Sequence, residues 1–182
     1  MAFSKIDTNG LALDSVDNTI LDLASNFAFS GTVTGAGESN TPFFFTVGVS
    51  SSQALSNQTF TTLTNWNTPT KSTQGTFSSG VYTPGIAGKY FCYLMCDIGN
   101  MADTDRVFCR VQADSDGNGS FSQKGATGKD ICAHGNADIA AQTTMIIDCT
   151  ANTQIRAQGW HEYGANRNFQ GGFFMVHLLN KE

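Results

Sequence analysis

"RVFCRVQADSDGNGSFSQKG", residues 106–125, decides whether this chain is built from strands or from helices. Its second half opens with Asp114, Asp116 and Asn118 at alternate places and Gly119 next, as a helix–loop–helix calcium loop does. Such a loop needs a bidentate Glu at its twelfth place, and that place is Gly125. The first half alternates without a break. Val107, Cys109, Val111 and Ala113 share one face, and Arg106, Phe108, Arg110 and Gln112 share the other. That is the period of a strand with one covered face. Asn118 and Gly119 both tolerate the positive φ of a tight turn. The stretch reads as a strand and a corner. Asp114, Asp116 and Asn118 remain weak calcium candidates that would need carboxylates from elsewhere, and no cofactor is expected.

The same alternation recurs on either side. "PFFFTVGVS" sets Phe43, Phe45, Val47 and Val49 on one face, and "TQIRAQ" opposes Ile155 and Ala157 to Gln154, Arg156 and Gln158. "KYFCYLMC" and "GGFFMVHLL" are apolar on both faces, so each is expected to be covered twice, by the opposite sheet and by a neighbouring subunit. Roughly eight strands with Gly- or Asn-rich turns, and no long helix, predict an all-β antiparallel sandwich, most simply a jelly roll, over residues 41–182. Residues 1–40 read as an anchoring arm and linker. A short helix over Val16, Ile20 and Leu23 and an extended strand-like arm are both open there.

Composition narrows the function. Of the 182 residues 40% are hydrophobic, which excludes a disordered chain, and only 14% are charged, about half the usual share. A net charge of −5 argues against binding a phosphate backbone. The five cysteines, Cys92, Cys96, Cys109, Cys132 and Cys149, follow no zinc spacing and read as small buried apolar residues. "MAFSKIDTNG" lacks the apolar core of a signal peptide, and no apolar run is long enough to span a membrane, so neither export nor membrane insertion is expected. No HExxH or Gly-x-Ser-x-Gly is present, and a non-enzymatic protein with no catalytic residues is expected. "GWHEYGANRN" gathers Trp160, His161, Glu162, Tyr163 and Arg167 into what reads as one polar loop. An aromatic face beside hydrogen-bonding groups suits a sugar, so these five are the candidate ligand-binding residues.

From Phe77 through "GVYTPGIAGKYFCY", residues 80–93, the chain resembles the globular head of complement-type proteins, which share the tumour-necrosis-factor jelly roll. In that family a strand bearing Tyr or Phe leads through a Pro-containing turn to Gly-x-Tyr-x-Phe. Tyr82, Pro84, Gly88, Tyr90 and Tyr93 hold those places, and "QGGFFMVHLL" is similar to the family's closing strand. The resemblance spans roughly residues 42–180. It implies a tight homotrimer, with Tyr82, Tyr90, Phe91, Tyr93, Phe173, Phe174 and His177 in the core or along the three-fold axis. A second resemblance lies in "LDLASNFAFSGTVTGAG", residues 21–37, which is similar to segments of bacteriophage structural proteins, marine ones in particular. Together they imply a virion component made in the host cytoplasm: a trimeric head projecting as a capsid decoration, head fibre or short tail-fibre tip. Residues 1–40 would hold it to other virion proteins, and the head would touch host-surface glycans. The alternative is a soluble complement-like lectin or ligand-binding module.

Overall fold

The computed structural model describes residues 44–71 and 75–181, so the expected arm of residues 1–40 lies outside the described residues. Among these the chain forms twelve strands and no helix, and hence no helix able to cross a membrane. In chain order they are β1 Phe44–Gly48, β2 Gln53–Leu55, β3 Thr61–Thr62, β4 Thr70–Lys71, β5 Thr76–Ser78, β6 Val81–Thr83, β7 Gly88–Met101, β8 Arg106–Asp114, β9 Ser122–Ile131, β10 Ala137–Cys149, β11 Gln154–His161 and β12 Arg167–Lys181. The excess over eight comes from β2 to β5, which are two or three residues each and too short to show a period in sequence.

One sheet runs β10-β7-β12-β1-β4, with β2 also on β12; the other runs β5-β6-β11-β8-β9, with β3 also on β11. All pairings are antiparallel. The first strand pairs with the last and β6 with β11, the crossing connectivity of a jelly roll.

The strand alternation predicted for residues 106–113 sets the core. Val107, Cys109, Val111 and Ala113 of β8, with Ile155 and Ala157 of β11, meet Phe45, Leu94, Ile98, Phe174 and Val176 from the first sheet. Phe45 stacks on Tyr82 with ring centroids 4.4 Å apart. Each Val, Leu, Ile or Phe among these core side chains contributes about 1.5–3 kcal/mol by leaving water. Between the sheets the fit is close: a Cβ on Gly159 would stand 2.8 Å from Cys96 Sγ and 3.1 Å from Leu55. All five cysteines are buried and free. Burial pushes the Cys109 and Cys149 thiols up to about 12 and the Cys92 and Cys96 thiols up as well.

The outer face of the first sheet is the second face of the doubly apolar strands. Within one chain it is only partly covered. Phe91, Tyr93 and Met95 of β7 lie beside Phe173, Met175 and His177 of β12, all half-buried. The Tyr93 and Phe173 rings stack at 4.9 Å. Ile146 of β10, in register with Phe91, is 61% exposed, and Leu179 is 54% exposed. Of the residues expected in the core or on an axis, Tyr82, Tyr90 and Phe174 are therefore interior to the chain, whereas Phe91, Tyr93, Phe173 and His177 face outward.

At one side of the sandwich the two sheets meet edge to edge. Thr143 Oγ1 on β10 donates to the Ala126 carbonyl on β9 at 2.7 Å. Gly128 on β9 comes so near β10 that a Cβ there would lie 2.0 Å from the Gln142 carbonyl oxygen.

Candidate functional site

The second sheet turns one face to the core, yet its outer face is not simply polar. Phe108 of β8 and Trp160 of β11 are partners in register, and their rings meet edge to face at 4.8 Å. Phe60, just before β3, stands 6.3 Å from Trp160. These three rings, with Arg106 and Thr127, line an open cleft of about 400 Å³.

Cations are threaded through the rings. Arg106 and Lys129 approach the Phe108 ring at 5.8 and 5.9 Å. Arg106 is neutralised by Glu162, whose two carboxylate oxygens accept from Nε and Nη2, while the Arg106 backbone N–H donates to the same carboxylate at 3.1 Å. The hydrogen bonds from Arg106 hold the Glu162 carboxyl below the usual range, against a smaller opposing effect of burial, and the Arg106 guanidinium is raised in return. Farther along the sheet Arg110 lies over Phe60 at 3.8 Å and Arg156 over Phe121 at 3.9 Å. Their hydrogen bonds go to neutral partners. Arg110 Nε donates to Gln158 Oε1 at 2.8 Å, and Arg156 donates to Gln112 Oε1 from Nε at 2.9 Å and Nη2 at 2.7 Å.

A surface of this kind offers apolar ring faces for the C–H faces of a sugar, and fixed donors for its oxygens. Among the described residues no group of three or more His, Cys, Asp or Glu is placed to hold a metal ion.

The five residues expected to share one loop do not stand together. Trp160 and His161 are the last two residues of β11, not part of a loop. The strand parity continues through them: Trp160 lines the cleft, Glu162 holds Arg106 at its side, and His161 points in. His161 is fully buried, with Nε2 3.0 Å from the Leu55 carbonyl oxygen and Nδ1 accepting from the Tyr163 backbone N–H at 3.3 Å. A side chain with no exposed surface cannot touch a ligand, so His161 serves the fold. Tyr163 packs against the core with the Arg167 guanidinium over its ring, and Arg167 Nε donates to the Asn100 carbonyl at the end of β7. Tyr163 and Arg167 thus pair with each other, apart from the residues that line the cleft. In the turn after β8, burial pushes the Asp114 carboxyl up, but its hydrogen bond with Asp116 and three backbone N–H donors outweigh this and bring it below the usual range. Those donors are Asp116 at 3.4 Å, Gly117 at 3.1 Å and Gly119 at 2.6 Å. Asp114 is closing the corner; Asn118 does the same locally, accepting from Ser120 N–H at 2.8 Å and donating to Asp116 at 2.7 Å.

The sequence reading missed Phe60, Arg106, Phe108, Arg110 and Arg156 as site residues. Its own alternation held the clue for three of them: an outward phenyl ring between two outward arginines on β8. Phe60 carries no such signal, because β3 is two residues long.

No family profile and no curated protein sequence matches the chain. Solved structures do match. The TNF Eiger of S. frugiperda superposes with a TM-score of 0.60 at 11% identity, covering 78% of this chain and 95% of that one. Murine APRIL gives 0.59 at 11% identity, with 76% and 99% covered. The globular domain of a zebrafish complement 1qA protein gives 0.56 at 10% identity, with 77% and 99% covered. At such identities the likeness is one of fold, and the chain is an antiparallel jelly-roll sandwich of the architecture seen in those tumour-necrosis-factor and complement heads.

Proposed function

We propose that this chain is a non-enzymatic, homotrimeric recognition head that holds a glycan in the cleft between Phe60, Phe108 and Trp160. The observation that carries the reading is the cleft itself: three half-buried aromatic rings lining an open cleft on the outer face of a sheet, with the Arg106–Glu162 pair at their side. The trimer is supported by the opposite sheet, whose outer face presents Phe91, Tyr93, Met95, Phe173 and Met175 with Ile146 exposed beside them. Association through that face leaves the cleft on the far side of the sandwich, pointing outward, and three weak sites on one particle then act by avidity. The likeness of residues 21–37 to phage structural proteins supports mounting on a virion, with residues 1–40 as the attachment to other virion proteins.

The test is a glycan-binding screen of the full chain beside Trp160→Ala. Loss of one stacking ring is expected to weaken each site by about tenfold, from about 1–1.5 kcal/mol, with the circular dichroism spectrum unchanged. A wild-type chain that binds no glycan, or a Trp160→Ala variant that binds as well as wild type, would refute the reading. Light scattering on the same samples should give three chains per particle.

A further inference from the structure

We infer that the glycan held at this cleft is acidic, and that Arg110 and Arg156 together receive its sulfate, phosphate or carboxylate group; this rests on the glycan reading above. Arg110 is in register with Gln158 and Arg156 with Gln112, so the two arginines are diagonal neighbours on β8 and β11, their Cβ atoms about 7 Å apart. Arg110 also lies on Phe60, a wall of the cleft, which makes the pair continuous with the aromatic rings.

Three observations separate this pair from an ordinary solvated basic face. First, each guanidinium carbon lies over a phenyl ring, 3.8 and 3.9 Å from its centroid, and each group is also hydrogen-bonded to a glutamine, so its position is restrained before any ligand arrives. Second, each is steadied by a glutamine where a glutamate of the same reach would have neutralised it. Neither forms an ion pair among the described residues, whereas Arg106 on the same face does. Third, among the described residues the bonds within the chain use Nε of Arg110, and Nε and Nη2 of Arg156, leaving both terminal nitrogens of Arg110 and Nη1 of Arg156 for an anion. Partial burial, and for Arg110 the nearby charge of Arg156, lower both guanidiniums from their ordinary value. An oxyanion between them relieves that repulsion and accepts forked hydrogen bonds, the geometry for which arginine is suited. The sequence's net charge of −5 does not oppose this, because the charge of the whole chain does not fix that of one face, and this one carries Arg106, Arg110, Arg156 and Lys129 beside Glu162.

The experiment presents the full chain to an array in which each neutral glycan is paired with its sulfated, sialylated or phosphorylated counterpart. Arg110→Gln/Arg156→Gln is compared with Lys89→Gln/Lys181→Gln, which removes the same charge from the other sheet. At least about tenfold preference for an acidic member is expected, lost in the arginine variant and kept in the lysine one. Equal binding of neutral and acidic members overturns the inference and leaves the glycan reading standing. Equal losses in the two variants also overturn it, as bulk charge would then suffice. Inorganic sulfate or phosphate competing alone, with Trp160→Ala without effect, would mean a free-anion site. Tighter capture of an oligodeoxynucleotide than of any glycan would assign the face to nucleic acid. Absence of all glycan binding overturns both readings together.

Discussion

Replacing Ile146 by Asp tests the proposed trimer without touching the fold of one chain. Ile146 lies on β10, faces away from the core and is 61% exposed in the single chain, so its side chain contributes little to the monomer. Burying a whole Ile side chain is worth about 1.5–3 kcal/mol, and with 61% left to cover the interface gains about 1.4 kcal/mol per chain. Three copies in a trimer bring this to about 4 kcal/mol, or roughly a thousandfold in the association constant, before the cost of bringing an Asp carboxylate against apolar neighbours is added. Ile131, 48% exposed on β9 of the other sheet, supplies the matched control. Sedimentation velocity and light scattering over a dilution series should show wild type and Ile131→Asp as trimers and Ile146→Asp as monomers with the same circular dichroism and thermal cooperativity. An Ile146→Asp trimer that survives dilution as wild type does would refute the use of this sheet face as the interface.

Further outcomes follow from the interior. Burial, and then the charge of Asp138, raise the Asp97 carboxyl above its ordinary value, and its Oδ1 is buried without a partner among the described residues. A group raised on folding binds more protons in the native state, so it costs stability as pH climbs above the ordinary carboxylate range. Asp97→Asn should therefore raise the melting temperature at neutral pH and leave it unchanged at a pH below that range; an unchanged midpoint at both would show that the carboxylate is neutralised in the assembled protein. Cys92, Cys96, Cys109 and Cys149 should ignore a thiol-specific disulfide reagent at pH 8 in the native state and react in full once unfolded, because burial disfavours their thiolates; rapid native labelling of Cys109 or Cys149 would contradict this. Gly159→Val should cost about 1–3 kcal/mol by overpacking Cys96 and Leu55, read as a lowered urea midpoint, and an unchanged midpoint would mean the sheets can part there.

Much of the fold was legible because its strands carry a two-residue period. The alternation through Val107–Ala113 and Ile155–Ala157 placed the core residues and, by the same stroke, put Arg106, Phe108 and Arg110 outside. The site was less legible for a related reason. The polar composition of "GWHEYGANRN" suggested a loop, yet parity carried from Ile155 through Ala157 and Gly159 sends His161 inward and Trp160 outward, as the structure has it. Period outranks composition when a buried carbonyl, here that of Leu55, is there to satisfy the polar atom. Phe60 and the stacking of Arg110 on it could not be read at all, since they join segments about fifty residues apart without a local pattern in either.

The seam between β9 and β10 has a consequence for crowding. A sheet edge left open offers unpaired amides and carbonyls to any passing strand, and proteins packed densely on a surface are at greatest risk of being zipped together that way. Here the thirteen-residue edge strand β10 is covered at its middle by its own chain, through the Thr143–Ala126 bond and the close approach of Gly128 to Gln142. A strand from a neighbouring head cannot be laid along this part of β10 without displacing β9, so at high local concentration this edge does not serve as a template for zipping heads together.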